Sequence, residues 1–155
     1  MNQKKGLHRR EFVVKTTRML ATLSLLGLTE TACRQGSTWV GDVELKGGRM
    51  YVDLNKPSFR LLHQVGKGIS LRIGADQPSI LLIRYDEKTM IALSGQCTHA
   101  GYAVLPPEHG ILVCSSGHGG RFSLEGKVLS PPPTHDLRRF PVSFSGETVV
   151  VDYAG

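Results

Sequence analysis

Four side chains with a strong affinity for metal sit in two glycine-rich stretches, and no other feature of the chain restricts its fold as tightly. The first stretch is Gly95-Gln96-Cys97-Thr98-His99-Ala100-Gly101-Tyr102. The second is Val113-Cys114-Ser115-Ser116-Gly117-His118-Gly119-Gly120-Arg121-Phe122. Cys97 and His99 are two residues apart, Cys114 and His118 four apart. Thiolates and imidazoles are ligands for zinc and for iron–sulfur clusters. Both stretches fall where strands should end and loops begin. The glycines let the backbone approach closely and turn amides toward sulfur.

The rest of the body, from Trp39 onward, has the pattern of an all-β protein. Short β-rich runs alternate with turn formers: Trp39–Leu45, Met50–Leu54, Phe59–Val65, Ile69–Ile73, Ile80–Tyr85, Met90–Ser94, Ile111–Val113, Lys127–Leu129, Val142–Phe144 and Thr148–Tyr153. Gly47-Gly48, Gly66-Lys67-Gly68, Asp86-Glu87-Lys88, Glu125-Gly126 and Ser145-Gly146-Glu147 read as hairpin-like connections. Ile80–Ile83 is continuously apolar, as in a strand buried on both faces. Val149, Val151 and Tyr153 alternate with Val150 and Asp152, as in a half-exposed strand. The spacing predicts a small antiparallel sandwich or barrel. Trp39, Tyr51 and Tyr85 are expected in the core, His63 on a strand, His109 on a turn and His135 near the rim of the site.

Residues 1–33 are read as an address. They hold six Lys and Arg against Glu11 and Glu30. The order is a basic segment, the ten-residue apolar stretch Met19–Leu28, then small and polar residues, as in an export signal. His8-Arg9-Arg10-Glu11-Phe12-Val13-Val14-Lys15 resembles the twin-arginine motif, whose route exports proteins already folded around a cofactor. Thr31-Ala32-Cys33 makes Cys33 a lipidation candidate; cleavage of the segment and its retention as an anchor are the alternatives. Residues 34–38 would be a linker. The remaining 122 residues carry 13 basic and 11 acidic side chains, so the body offers no electrostatic case for nucleic acid. No apolar run reaches the roughly 20 residues of a spanning helix, and three cysteines do not make a disulfide scaffold.

The two stretches resemble the Rieske family, which binds a [2Fe-2S] cluster through Cys-x-His and Cys-x-x-His loops. Cys97-Thr98-His99-Ala100-Gly101 matches the first loop. His118-Gly119-Gly120-Arg121-Phe122, then Leu124-Glu125-Gly126-Lys127-Val128, is similar to the segment after the second ligand histidine. Ser130-Pro131-Pro132-Pro133 resembles the proline loop over the cluster, and Leu137 with Phe140-Pro141-Val142 the strand beyond it. The resemblance covers about residues 60–153. It implies a Rieske-type fold over 39–155, with the cluster-binding part at about 95–135. By the same resemblance Cys97 and Cys114 would hold one iron, His99 and His118 the other. Gly101, Tyr102, Gly117, Gly119, Gly120, Phe122 and Pro132 would line the cluster.

Four departures from the pattern carry expectations. The second loop is Cys-x-x-x-His, one residue longer. One step along a strand turns a side chain to the opposite face, so Cys114 is expected to need a bulge, with Gly117 able to absorb the change. Tyr102 stands where high-potential relatives have a cysteine, so the disulfide between the loops is missing. Gly120 and Phe122 replace hydroxyl-bearing residues, and Ser123 replaces a frequent Asp. Fewer hydroxyl donors predict a reduction potential low in the Rieske range of about −150 to +300 mV.

The function expected is single-electron transfer on the periplasmic side of a membrane. The partner would be a cytochrome or the large subunit of an oxidoreductase, with a quinol as a further candidate and membrane attachment through the N-terminus. The competing reading is a cluster-free or zinc-binding module with an interaction role.

Overall fold

The middle of the molecule is strand β5 (Ile80–Arg84), every residue of which is buried. Successive side chains of a strand point to opposite faces. Ile80 and Leu82 therefore enter one core, and Leu81 and Ile83 enter a second. Burying a Leu or Ile side chain is worth roughly 1.5–3 kcal/mol, so the apolar run is the chain's strongest local commitment to a place between two layers.

The computed structural model describes residues 38–39, 42–74 and 77–154. The chain divides into two units, Met1–Cys33 and Arg34–Gly155. The twin-arginine segment, Cys33 and residues 34–37 of the linker lie outside the described residues.

Three sheets make up the described part of the second unit. The central one has five strands: β1 (Thr38–Trp39), β4 (Gly68–Leu71), β5, β6 (Met90–Ser94) and β10 (Arg139–Phe140), in that order. β1 pairs parallel with β4, and the other neighbours are antiparallel. A four-stranded sheet has the order β11 (Val142–Ser145), β12 (Thr148–Asp152), β3 (Arg49–Asp53), β2 (Glu44–Lys46). Met50, Val52, Val149 and Val151 from this sheet meet Ile69, Leu71, Ile80, Leu82 and Ala92 of the central sheet. The third sheet is small: β7 (Ile111–Val113), β8 (Arg121–Ser123) and β9 (Val128–Ser130). Its Leu112 and Phe122 pack with Leu81, Ile83, Ile91 and Leu93 from the opposite face of the central sheet. This second core also contains Cys97 and Cys114.

The all-β antiparallel reading holds, with local corrections. Phe59–Val65 is no strand: Pro57–His63 forms a 3₁₀ helix with Pro57 in its first turn. Its buried residues, Phe59 and Leu62, are three apart, the spacing that eclipses side chains in a 3₁₀ helix. His63 closes that helix, and its ring meets the Leu54 carbonyl at 2.9 Å. Trp39–Leu45 is not one strand, because β1 and β2 pair in different sheets. Gly66–Gly68 joins the 3₁₀ helix to β4 rather than two strands of a hairpin. Tyr85 lies one residue beyond β5 and is exposed, while Tyr51 is half-buried. His109 does lie on a turn, at φ 50°.

Candidate metal centre

Two hydrogen-bonded tips carry the four predicted donors. After β6 the chain folds back on itself. The Cys97 N–H donates to the Tyr102 carbonyl at 2.7 Å, and the Gly101 N–H to the Cys97 carbonyl at 2.9 Å. This tight turn leaves His99 and Ala100 exposed at its apex, while Cys97 is buried at its base. The second tip caps the β7–β8 hairpin. Its antiparallel ladder runs Ile111↔Ser123, Leu112↔Phe122, Val113↔Arg121. It continues one step further, the Cys114 N–H donating to the Gly120 carbonyl at 2.9 Å. Ser115–Gly119 then form the exposed tip.

Backbone bonds hold the two tips together. The Leu105 N–H donates to the Val113 carbonyl at 2.9 Å, and the Ser115 N–H to the Ala103 carbonyl at 2.8 Å. Val104 and Cys114 form an antiparallel bridge. A third segment lies across both. The Thr98 hydroxyl donates to the His135 carbonyl at 2.7 Å, the Ser130 hydroxyl donates to the Gly119 carbonyl at 2.7 Å, and Pro133 is buried against Gly120.

Cys114 needs no bulge. The ladder is regular from Ile111 to Cys114, so its side chain shares the inward face with Leu112, two residues earlier. The extra residue is taken up in the tip, where Gly117 and Gly119 have φ values of 73° and 81°. Such left-handed backbone is cheap for glycine. The one register irregularity of this sheet lies elsewhere, between Arg121 and Phe122 where β8 meets β9.

The donors come together as two pairs. Cys97 and Cys114 are free thiols, 2% and 3% exposed, within one apolar cluster. Burial pushes the Cys97 thiol up, and its contact with the Cys114 thiol adds to that. Cys114 behaves differently: burial is the largest single influence and raises it, yet the Ser116 hydroxyl, the Cys97 thiol and the Ser116 N–H together carry it below the ordinary thiol value. The imidazoles form the outer pair, with His99 and His118 ring centroids 5.9 Å apart and both rings exposed. Among the described residues no three His, Cys, Asp or Glu side chains converge on one ion. Two inner thiols and two outer imidazoles are a donor set that could supply two groups to each metal of a binuclear centre.

The residues expected to line the site are distributed unevenly. Tyr102 is half exposed, its ring centroid 6.4 Å from that of His118. Gly101 lies against Gln96, and Gly119 and Gly120 meet the Ser130–Pro133 segment. Pro132 is half-buried, whereas Phe122 is fully buried in the second core. Sequence reasoning missed Thr98 and Ser116, and within the proline loop it singled out Pro132 where Pro133 is the residue against Gly120. A hydroxyl two residues after the cysteine was the available signal for Ser116, since Ser readily bonds nearby backbone. A groove of about 500 Å³, lined in part by Arg72, Gln77, Ser79, Gln96 and Leu105, runs beside the first tip; none of the four donors lines it.

Among known families, the Rieske [2Fe-2S] domain matches residues 60–141, more than half of this chain. The chain belongs to that family. The matched span takes in both tips, the whole third sheet and the proline segment. Over 94 residues this Rieske chain is 31% identical to the biphenyl dioxygenase ferredoxin subunit of Pseudomonas sp. (strain KKS102), covering 59% of this chain and 85% of that protein. It is 42% identical over 65 residues to the carotenoid phi-ring synthase of Chlorobaculum tepidum, 41% of this chain but only 10% of that protein. A solved structure, the plasma membrane Rieske protein PetC3 from Synechocystis PCC 6803, aligns at 25% identity with a TM-score of 0.45, over 56% of this chain and 85% of that one.

Proposed function

We propose that this Rieske protein carries single electrons through a [2Fe-2S] cluster held by Cys97 and Cys114 on one iron and by His99 and His118 on the other. The observation that carries the reading is the pairing itself: two buried free thiols at the base of two adjoining tips, and two exposed imidazoles 5.9 Å apart above them. When bound, the cluster supplies a one-electron couple whose potential is raised by having two neutral imidazoles in place of two thiolates. Apolar walls from Leu112, Phe122 and Leu93 exclude water from the cysteine side. His99 and His118 face solvent, which supports an electron exit at the imidazoles, and their outer nitrogens can exchange a proton or hydrogen-bond a partner.

The redox partner is an oxidoreductase subunit or a cytochrome, with a quinol as the small-molecule alternative. The ferredoxin subunit of a dioxygenase among its relatives supports a protein partner. The twin-arginine-like segment supports a periplasmic site of action, with the cluster inserted before export and Cys33 available for lipidation. The test is to purify the protein from a host with intact cluster assembly, measure iron and acid-labile sulfide, and record EPR after reduction. The expected result is a coloured protein with a rhombic signal of low average g, lost in Cys114→Ser. A colourless protein with zinc or no metal would favour the interaction module, and an unchanged spectrum in Cys114→Ser would reject Cys114 as ligand.

A further inference from the structure

The positions 120 and 122 bring no hydroxyl to the cysteine sulfurs, yet a hydroxyl is there from another source. Ser116 Oγ lies 3.1 Å from Cys114 Sγ, and the residue is half-buried. The same oxygen accepts the backbone N–H of His118 at 3.4 Å. The hydroxyl keeps its own hydrogen while it accepts, and a cysteine that holds metal as a thiolate has none, so with Cys114 as a ligand the bond runs from Ser116 to the sulfur. Ser116 therefore touches the sulfur of Cys114 and the backbone of His118, the two donor residues of the second tip.

A side chain at position 120 would be crowded. A Cβ at Gly120 would stand 3.4 Å from the Cβ of Cys114. That same Cβ would lie 2.8 and 2.9 Å from Cδ and Cγ of Pro133. Both are atoms of a rigid ring on a buried residue, so they do not simply swing away. A side chain at 120 therefore requires the Pro133 segment to shift, whereas Ser116 reaches the sulfur from within the tip.

We propose that Ser116 is a positioning residue that sets the reduction potential by donating a hydrogen bond to the Cys114 sulfur. The proposal rests on the reading of Cys114 as a ligand. A donor to a ligand sulfur stabilises the extra negative charge of the reduced state, and this raises the potential.

The test compares the cluster-loaded wild type with Ser116→Ala, Ser116→Thr and Ser115→Ala by voltammetry. The expected result is a lower midpoint potential in Ser116→Ala and a wild-type value in Ser116→Thr, which keeps the hydroxyl. Ser115→Ala, a change at an exposed neighbour, should also stay at the wild-type value. No shift in Ser116→Ala, or an equal fall in Ser116→Ala and Ser116→Thr, would overturn the proposal. A second readout needs no metal: the S–H stretching band of Cys114 in the metal-free protein, isolated in a Cys33→Ser/Cys97→Ser background. It should move in Ser116→Ala and return in Ser116→Thr; a band that stays put would count against the contact. If the purified wild type binds no iron, the electron-transfer reading fails, and the infrared comparison still decides whether the Ser116 contact exists.

Discussion

Among the glycines of the second glycine-rich stretch, Gly120 is the one where an added carbon would meet a close neighbour. Its cross-strand partner is Cys114, and Pro133 lies where its side chain would be. Gly120→Ala is expected to cost about 1–3 kcal/mol, the usual penalty of overpacking, read as a lower urea midpoint at unchanged m. Relieving the ring with Gly120→Ala/Pro133→Ala should recover part of the loss, because residues in contact couple. At this scale the sequence showed which atoms could bind metal but not where they point. Spacing alone suggested that Cys114 was turned the wrong way. The direction is fixed by the ladder from Ile111 to Cys114, a long-range pairing with β8 that no local count of residues contains. The closeness of Ser116 to the sulfur and of Pro133 to Gly120 was hidden for the same reason.

Elements were more legible, in proportion to how much their burial is written into local pattern. β5 is the clearest case: its apolar run matched a strand between two layers, and both its faces are buried. Leu82→Ala removes side chain from the first core and should cost about 2–5 kcal/mol in chemical denaturation. The matching change at Leu81 opens the second core, so it should also speed alkylation of Cys97 and Cys114, whereas Leu82→Ala should affect that rate far less. The 3₁₀ helix was misread because Phe59-Arg60-Leu61-Leu62 is apolar enough for a strand, and only Pro57 and the three-residue interval of the buried pair argue otherwise. The turn from β8 to β9 has a pH-dependent brace. Asp136 accepts from Lys127 Nζ at 2.7 Å and from the Val128 N–H at 3.0 Å, and these bonds hold its carboxyl below the ordinary carboxylate value. A carboxyl lowered by folding stabilises above its unfolded value, and the contribution is lost as pH falls through its folded value. The hydrogen-exchange protection of Val128, taken relative to its intrinsic rate at each pH, should fall in acid, and Asp136→Asn should flatten that acid dependence.

The whole described body is two cores sharing one central sheet, and only the second contains the thiols. Metal binding to a preformed site adds its free energy to the part that forms the site. Stripping the metal with a chelator is therefore expected to lower hydrogen-exchange protection in β7, β8 and the two tips, while β3 and β12 keep theirs. Uniform loss across all three sheets would contradict this division. The sandwich class and the pairing of the loops were visible in the sequence, because turn formers and β-rich runs recur along it. The stacking of three sheets was not, since nothing local says which strand pairs belong to which layer.

The five-residue tip between Cys114 and Gly120 separates two tasks that a shorter hairpin would fuse. Where the sulfur points is decided below the tip, by cross-strand pairing; how far the imidazole reaches is decided within it, by chain length. Lengthening or trimming Ser115–Gly119 by a residue would thus move the ring while leaving the sulfur anchored, which makes the arc a natural place to retune contact with a new electron acceptor.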